Sequence, residues 1–142
     1  MIVIKTKDLV MAVFMLLPAI SWGQSRANQI NTSKNYQTME NIILIGKIFI
    51  PKNSIKKFRD QNVTNSFIKT LPGFLKGESY EMLDEAGNLN MITITTWATE
   101  ENYHNAQSSL KEHYKEIKFD PLAFRERLKI VAEHKVYTLH AY

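Results

Sequence analysis

The 142-residue chain has no cysteine, so disulfides are excluded, as is a lipid anchor attached through a cysteine behind a leader. It has little excess charge, +4 overall, and its lysines and arginines are interspersed with acids rather than gathered into a tract. A nucleic-acid partner is therefore not expected. No apolar run approaches the roughly 18 residues of a membrane span. The GxGxxG, Walker and GxSxG patterns are missing, which leaves dinucleotide, nucleotide and serine-hydrolase chemistry without support. The four histidines show no HxH or HxxxH spacing, and Glu100 with His104 is a generic i,i+4 pair, so no metal site and no cofactor are expected.

What is present begins with MIVIKTKDLVMAVFMLLPAISWG. Lys5 and Lys7 make a positive start, Leu9 to Ile20 a short apolar stretch, and Ser21 and Gly23 are small residues placed for a cut before Gln24. This pattern predicts a secretory signal peptide over residues 1–23 and a periplasmic or secreted product with no membrane attachment after cleavage. Losing Lys5, Lys7 and Asp8 takes the net charge from +4 to +3. Residues 24–39, polar and without periodicity, read as a flexible tether. The domain proper spans 40–142.

Within it, Ile42 to Ile50 is a β-branched run closed by Pro51, a strand. Asn53 and Ser54 are placed to cap a helix from Ile55 towards Leu71, ended by Pro72 and Gly73. Glu78–Leu83 and Leu89–Trp97, joined across Asp84 to Asn88, predict a hairpin. A helix follows from Glu100 towards Ile117, a second starts at Asp120-Pro121 and runs to about Ile130, and Lys135–Tyr142 closes the chain as a strand. The order β-α-β-β-α-β predicts an α+β, ferredoxin-like fold with helices on one face of an antiparallel sheet. Alternation places Ile43, Ile45 and Phe49 on one side of the first strand and Ile42, Leu44, Ile48 and Ile50 on the other. Both faces are apolar, so the face away from the helices needs a cover, and a second copy of the chain supplies it most simply: a homodimer is expected.

The segments LPGFLKGESYE (71–81), GNLNMITITTWATEENYHNA (87–106) and FDPLAFRERLKIVAEHKVYTLHAY (119–142) resemble the antibiotic biosynthesis monooxygenase (ABM) family. Its marks are the P-G-F after the first helix and a strand ending in W-x-[ST]-E-E-x-Y. The resemblance implies a dimeric α+β barrel. It also implies oxygenation of a small aromatic, quinol- or anthrone-like molecule by dioxygen, without metal or flavin. A haem-degrading branch uses a first-strand asparagine, the third-strand tryptophan and a histidine on the following helix. Those positions carry Gly46 or Lys47, Trp97 and Gln107 here, so only Trp97 matches and haem degradation is disfavoured.

Four residues are candidates for such a site, each with a plain alternative. Trp97 matches the family's cavity-wall tryptophan, and shares a strand face with Met91, Thr93 and Thr95; it also suits a core. Tyr103, one turn into the second helix, offers a hydroxyl for hydrogen bonding or proton transfer, or is a half-buried packing residue. His104 projects about 100° from it around the helix and is a candidate base or a solvated histidine. Asn62 interrupts the first helix's apolar stripe, as a group facing a ligand or as the point where the stripe drifts. Tyr103 and His104 are the catalytic candidates, Trp97 and Asn62 the substrate-binding ones. A non-catalytic small-ligand-binding barrel is the alternative function.

Overall fold

The β-branched run Ile42–Ile50, closed by Pro51, pairs on both sides, with Leu89–Trp97 and with Val131–Thr138, and the domain is built around it. The computed structural model describes residues 4–6, 41–61 and 65–139. Its strands are β1 (Ile4–Thr6), β2 (Ile42–Ile50), β3 (Phe74–Leu83), β4 (Leu89–Trp97) and β5 (Val131–Thr138), in the order β1-β3-β4-β2-β5. Every neighbouring pair is antiparallel. Helices α1 (Ile55–Asp60) and α2 (Asn65–Lys69) connect β2 to β3, and α3 (Glu100–Glu116) and α4 (Pro121–Leu128) connect β4 to β5. This is the ferredoxin-like arrangement.

β1 falls inside the stretch read as a signal peptide, pairing Ile4 with Glu81 and Thr6 with Ser79. Cleavage before Gln24 would remove it and leave β3 as the sheet edge. The rest of that stretch and the tether 24–39 lie outside the described residues.

The helix expected from Ile55 to Leu71 is not continuous. It begins with a 3-10 turn at Lys52–Ser54, and α1 ends where Gln61 leaves helical geometry at φ −91°, ψ 47°. The sequence there is Asn62-Val63-Thr64, three residues of low helix propensity. The break has a packing consequence: Phe58 of α1 and Ile68 of α2 serve different apolar clusters. Ser54 does not cap α1 with its side chain; its hydroxyl donates instead to the Leu128 carbonyl at 2.9 Å, tying the α1 entry to the end of α4. β3 starts at Phe74, four residues earlier than expected, with a bulge between Phe74 and Lys76, and β5 starts at Val131, just after Lys129 ends α4 in the left-handed region at φ 56°.

Alternation along β2 and β4 sorts the side chains cleanly. Ile42, Leu44, Ile48 and Ile50, with Leu89, Met91, Thr93, Thr95 and Trp97, are buried under the helices. The apolar part of this layer is in two clusters. One gathers Ile48, Ile50, Phe58, Leu89, Met91, Phe124, Leu128 and Ile130 at the α1–α4 end. The other gathers Ile42, Leu44, Ile68, Leu71, Trp97, Tyr103, Ala106, Leu110 and Tyr114 at the α2–α3 end. On the opposite sheet face, Ile43, Ile45 and Phe49 are only partly buried, and Ile92 and Tyr137 are exposed.

Candidate functional site

The two motifs that carry the family resemblance meet in space. Gly73 sits at φ 80°, a conformation few side chains tolerate, and its carbonyl accepts the Ala98 N–H at 2.8 Å. That bond, with the pairing of Phe74 to Trp97, fastens the P-G-F turn to the end of β4. A Cβ at Gly73 would stand 2.2 Å from Asn102 Cγ, so glycine is needed for close approach as well as for φ. Asn102 is in turn held by Thr99, whose hydroxyl accepts the Asn102 N–H at 3.0 Å and donates to Asn102 Oδ1 at 2.8 Å. Thr99 thus caps α3, and Glu100 and Glu101 complement the positive end of the helix.

This corner sets the aromatic side chains. Trp97 is fully buried, with Phe74 edge-on at 5.5 Å between ring centroids and Tyr103 at 6.4 Å. Tyr103 is 2% exposed, and burial pushes its phenol up to about 12. At neutral pH it is therefore an un-ionised phenol, a hydrogen-bonding group rather than a base. His104 lies on the flank of α3, its side chain 43% exposed, with Nε2 3.5 Å from Glu100 Oε1. The two candidates meet through Gln107: its Nε2 donates to Tyr103 Oη at 2.8 Å and its Oε1 lies 3.2 Å from His104 Nδ1. With His104 protonated at Nδ1, the amide is held nitrogen-first towards Tyr103, and the Tyr103 O–H is left to donate elsewhere. Asn62 lies outside the described residues.

Sequence reasoning missed a second set of polar residues. On the helix-facing side of β3 and β4, Ser79, Thr93 and Thr95 are at most 1% exposed, and Glu81 is 7% exposed. Ser79 pairs directly with Thr93, and two side-chain-free positions, Gly46 and Gly77, pair with Thr93 and Thr95. The hydroxyls of Ser79, Thr93 and Thr95 and the Oε1 of Glu81 have no hydrogen-bond partner among the described residues. An orphaned buried hydroxyl costs roughly 1–3 kcal/mol, so four such atoms on one face of two adjacent strands form a polar seam between the two apolar clusters. The signal was present in the sequence: threonines at alternate positions in NMITITTW stand where the core face should be wholly apolar, but only the hairpin register joins them to Ser79 and Glu81.

Chemically, this layer offers aromatic rings at one end and unsatisfied hydroxyls and one carboxylate along its floor, the combination that orients a flat apolar ligand through a few polar contacts. Two clefts open elsewhere. One, of about 590 Å³, lies between Asp60, Gln61, the Ile117–Asp120 turn and Arg127. The other, of about 390 Å³, lies on the far sheet face beside Lys47, Phe49, Asn90 and Ile92. Neither is lined by Trp97, Tyr103 or His104.

No family model matches the chain, and no curated protein matches it. Solved structures do. A dimeric ferredoxin-like protein from an uncultured marine organism is 8% identical, over 72% of this chain and 98% of its own, with a TM-score of 0.55. A mutant of SnoaB, a cofactor-independent oxygenase from Streptomyces nogalater, is 13% identical, over 72% of this chain and 95% of its own, with a TM-score of 0.50. At such identities the likeness establishes a shared ferredoxin-like fold, and fold alone does not assign chemistry.

Proposed function

We propose that the chain is an ABM-type, cofactor-independent monooxygenase acting on a small aromatic, quinol- or anthrone-like molecule with dioxygen. The observation that carries this reading is the polar seam: buried hydroxyls of Ser79, Thr93 and Thr95 that lack partners among the described residues, running to the Trp97–Tyr103 corner, where the resembling family builds its cavity. The ring would lie between sheet and helices, its oxygens completing the seam and its edge against Trp97. Tyr103, a neutral phenol with its O–H left to donate, stabilises negative charge developing on a ligand oxygen. For an anthrone the balance closes without an added reductant: the substrate CH₂ gives two hydrogens, one oxygen atom becomes its carbonyl and the other leaves as water.

The ligand-binding reading without chemistry draws on a different observation. Tyr103 is a neutral phenol, and burial pushes it further from ionisation, while His104 stands on the exposed flank beside Glu100, so neither presents a base to the seam.

The active form in this proposal is a homodimer joined through the second sheet face, where Ile43, Ile45, Phe49, Ile92 and Tyr137 await a cover, and it works in the periplasm or outside the cell after removal of residues 1–23. A monomeric mass by light scattering at micromolar concentration would remove the dimer.

Oxygen uptake with a panel of hydroquinones and anthrones tests the chemistry. Uptake above buffer is expected for at least one compound. Thr93→Val should lower it about tenfold, the worth of one hydrogen bond, while leaving the unfolding temperature unchanged or higher because an orphaned hydroxyl is gone. Uptake at the buffer level for every compound sinks the oxygenase.

A further inference from the structure

One member of the seam differs in kind from the hydroxyls. Glu81 occupies a core-facing position of β3, opposite Met91, and its side chain is 8% exposed. Its Oε2 accepts from Arg59 Nη2 at 2.8 Å, while its Oε1 is buried without a partner among the described residues. Arg59 comes from the last turn of α1 and is half exposed, so it reaches inward from the surface and engages only one of the two oxygens.

A carboxylate is expensive to bury unless it is paired and its remaining lone pairs are satisfied. Arg59 answers the charge and leaves Oε1 unanswered. An ionised carboxylate only accepts hydrogen bonds, so whatever completes Glu81 must be a donor. Along the same face the next polar groups are the paired Ser79 and Thr93, two residues from the Glu81–Met91 pair, about 7 Å at about 3.4 Å per residue. A flat ligand that touches Glu81 and these hydroxyls has the length of a fused pair of rings with a hydroxyl at its tip.

We propose that Glu81 is a specificity-determining residue: its Oε1 accepts the hydrogen bond of a free phenolic hydroxyl on a fused-ring ligand, and Arg59 positions it by holding Oε2. The site then selects a phenol over the corresponding methyl ether, which cannot donate and would leave the carboxylate unsatisfied. This inference rests on the ligand site described above, and on its binding rather than on its oxygen chemistry.

The test is a fluorescence titration of the full chain under nitrogen, comparing 2-naphthol with 2-methoxynaphthalene, so that no turnover takes place. A hydrogen bond to a charged group corresponds to a preference for the naphthol of roughly 10- to 100-fold. Glu81→Gln, of nearly the same shape, should reduce the preference to a few-fold. Arg59→Met should weaken naphthol binding more than ether binding, and Arg59→Lys should restore part of the difference. Equal binding of the two compounds by the unmodified chain, binding of neither, or a preference that survives Glu81→Gln would each overturn the proposal. A clear preference in a chain that shows no oxygen uptake would leave Glu81 in this role and remove only the oxygenase.

Discussion

Replacing Tyr103 by phenylalanine should change how stability depends on alkaline pH, by an amount that follows from burial of the phenol. The group has an ordinary value of 10.0 and is pushed up to about 12 in the folded chain. Below pH 10 it is protonated in both states and adds no pH dependence. Between pH 10 and 12 the unfolded chain ionises this tyrosine while the folded chain does not, so the unfolded state is favoured and stability falls as pH rises. At pH 11 the loss is about 1.4 kcal/mol, one unit's worth of differential ionisation. In Tyr103→Phe that loss disappears, but the bond from Gln107 disappears too, costing about 1 kcal/mol at every pH. Phe is therefore expected to be less stable than Tyr at pH 7 and to draw level, or slightly ahead, by pH 11. Urea unfolding of both chains at pH 7, 9, 10 and 11 measures the gap, and subtraction cancels the lysines and the other tyrosines. A gap constant from pH 7 to 11 would refute the reasoning, and with it the view that burial holds the Tyr103 phenol above its ordinary value.

Two further outcomes concern the frame around the site. Gly73→Ala should destabilise the domain by about 2 kcal/mol or more, because it combines a positive φ with a Cβ 2.2 Å from Asn102 Cγ; a melt within 1 °C of the unmodified chain would mean that the turn and α3 shift apart freely. Desolvation lowers the His134 imidazole from its ordinary 6.5, so below that pH the unfolded chain binds a proton the folded one resists and stability declines on acidification; His134→Gln should flatten that decline between pH 6.5 and 5, and an unchanged slope in urea titrations would exclude His134 as its source.

How far the sequence could be read follows from which features are local. Pro72-Gly73, Thr99 and Asp120-Pro121 act over a few residues, and the breaks and caps they imply occur where they stand. The first helix is interrupted although the apolar stripe from Ile55 to Leu71 looks continuous: Phe58 and Ile68 reach clusters at opposite ends of the sheet, and α1 ends where Gln61 leaves helical geometry. The leader, for its part, is legible as composition, while the pairing of Ile4–Thr6 with β3 depends on an edge that no local pattern announces.

The site divides along the same line. Trp97 and Tyr103 could be named because they sit on one continuous strand-to-helix corner. Glu81 and Arg59 are 22 residues apart, on β3 and α1, and neither stands out in its own segment: in GESYEML the apolar Tyr80 and Met82 alternate with Ser79 and Glu81, a pattern that reads as polar side chains turned to water, and arginine on a short helix is ordinary. They become a feature only when the hairpin register sets Ser79 against Thr93 and turns that face inward. Burial then leaves them unsatisfied, since in contact with water the same four side chains would be hydrated. The functional content of this fold therefore lies in which face each polar residue takes, a property fixed by the parity of register: a one-residue slip of β3 against β4 would send Ser79 and Glu81 to the outer face and bring Glu78 and Tyr80 inward.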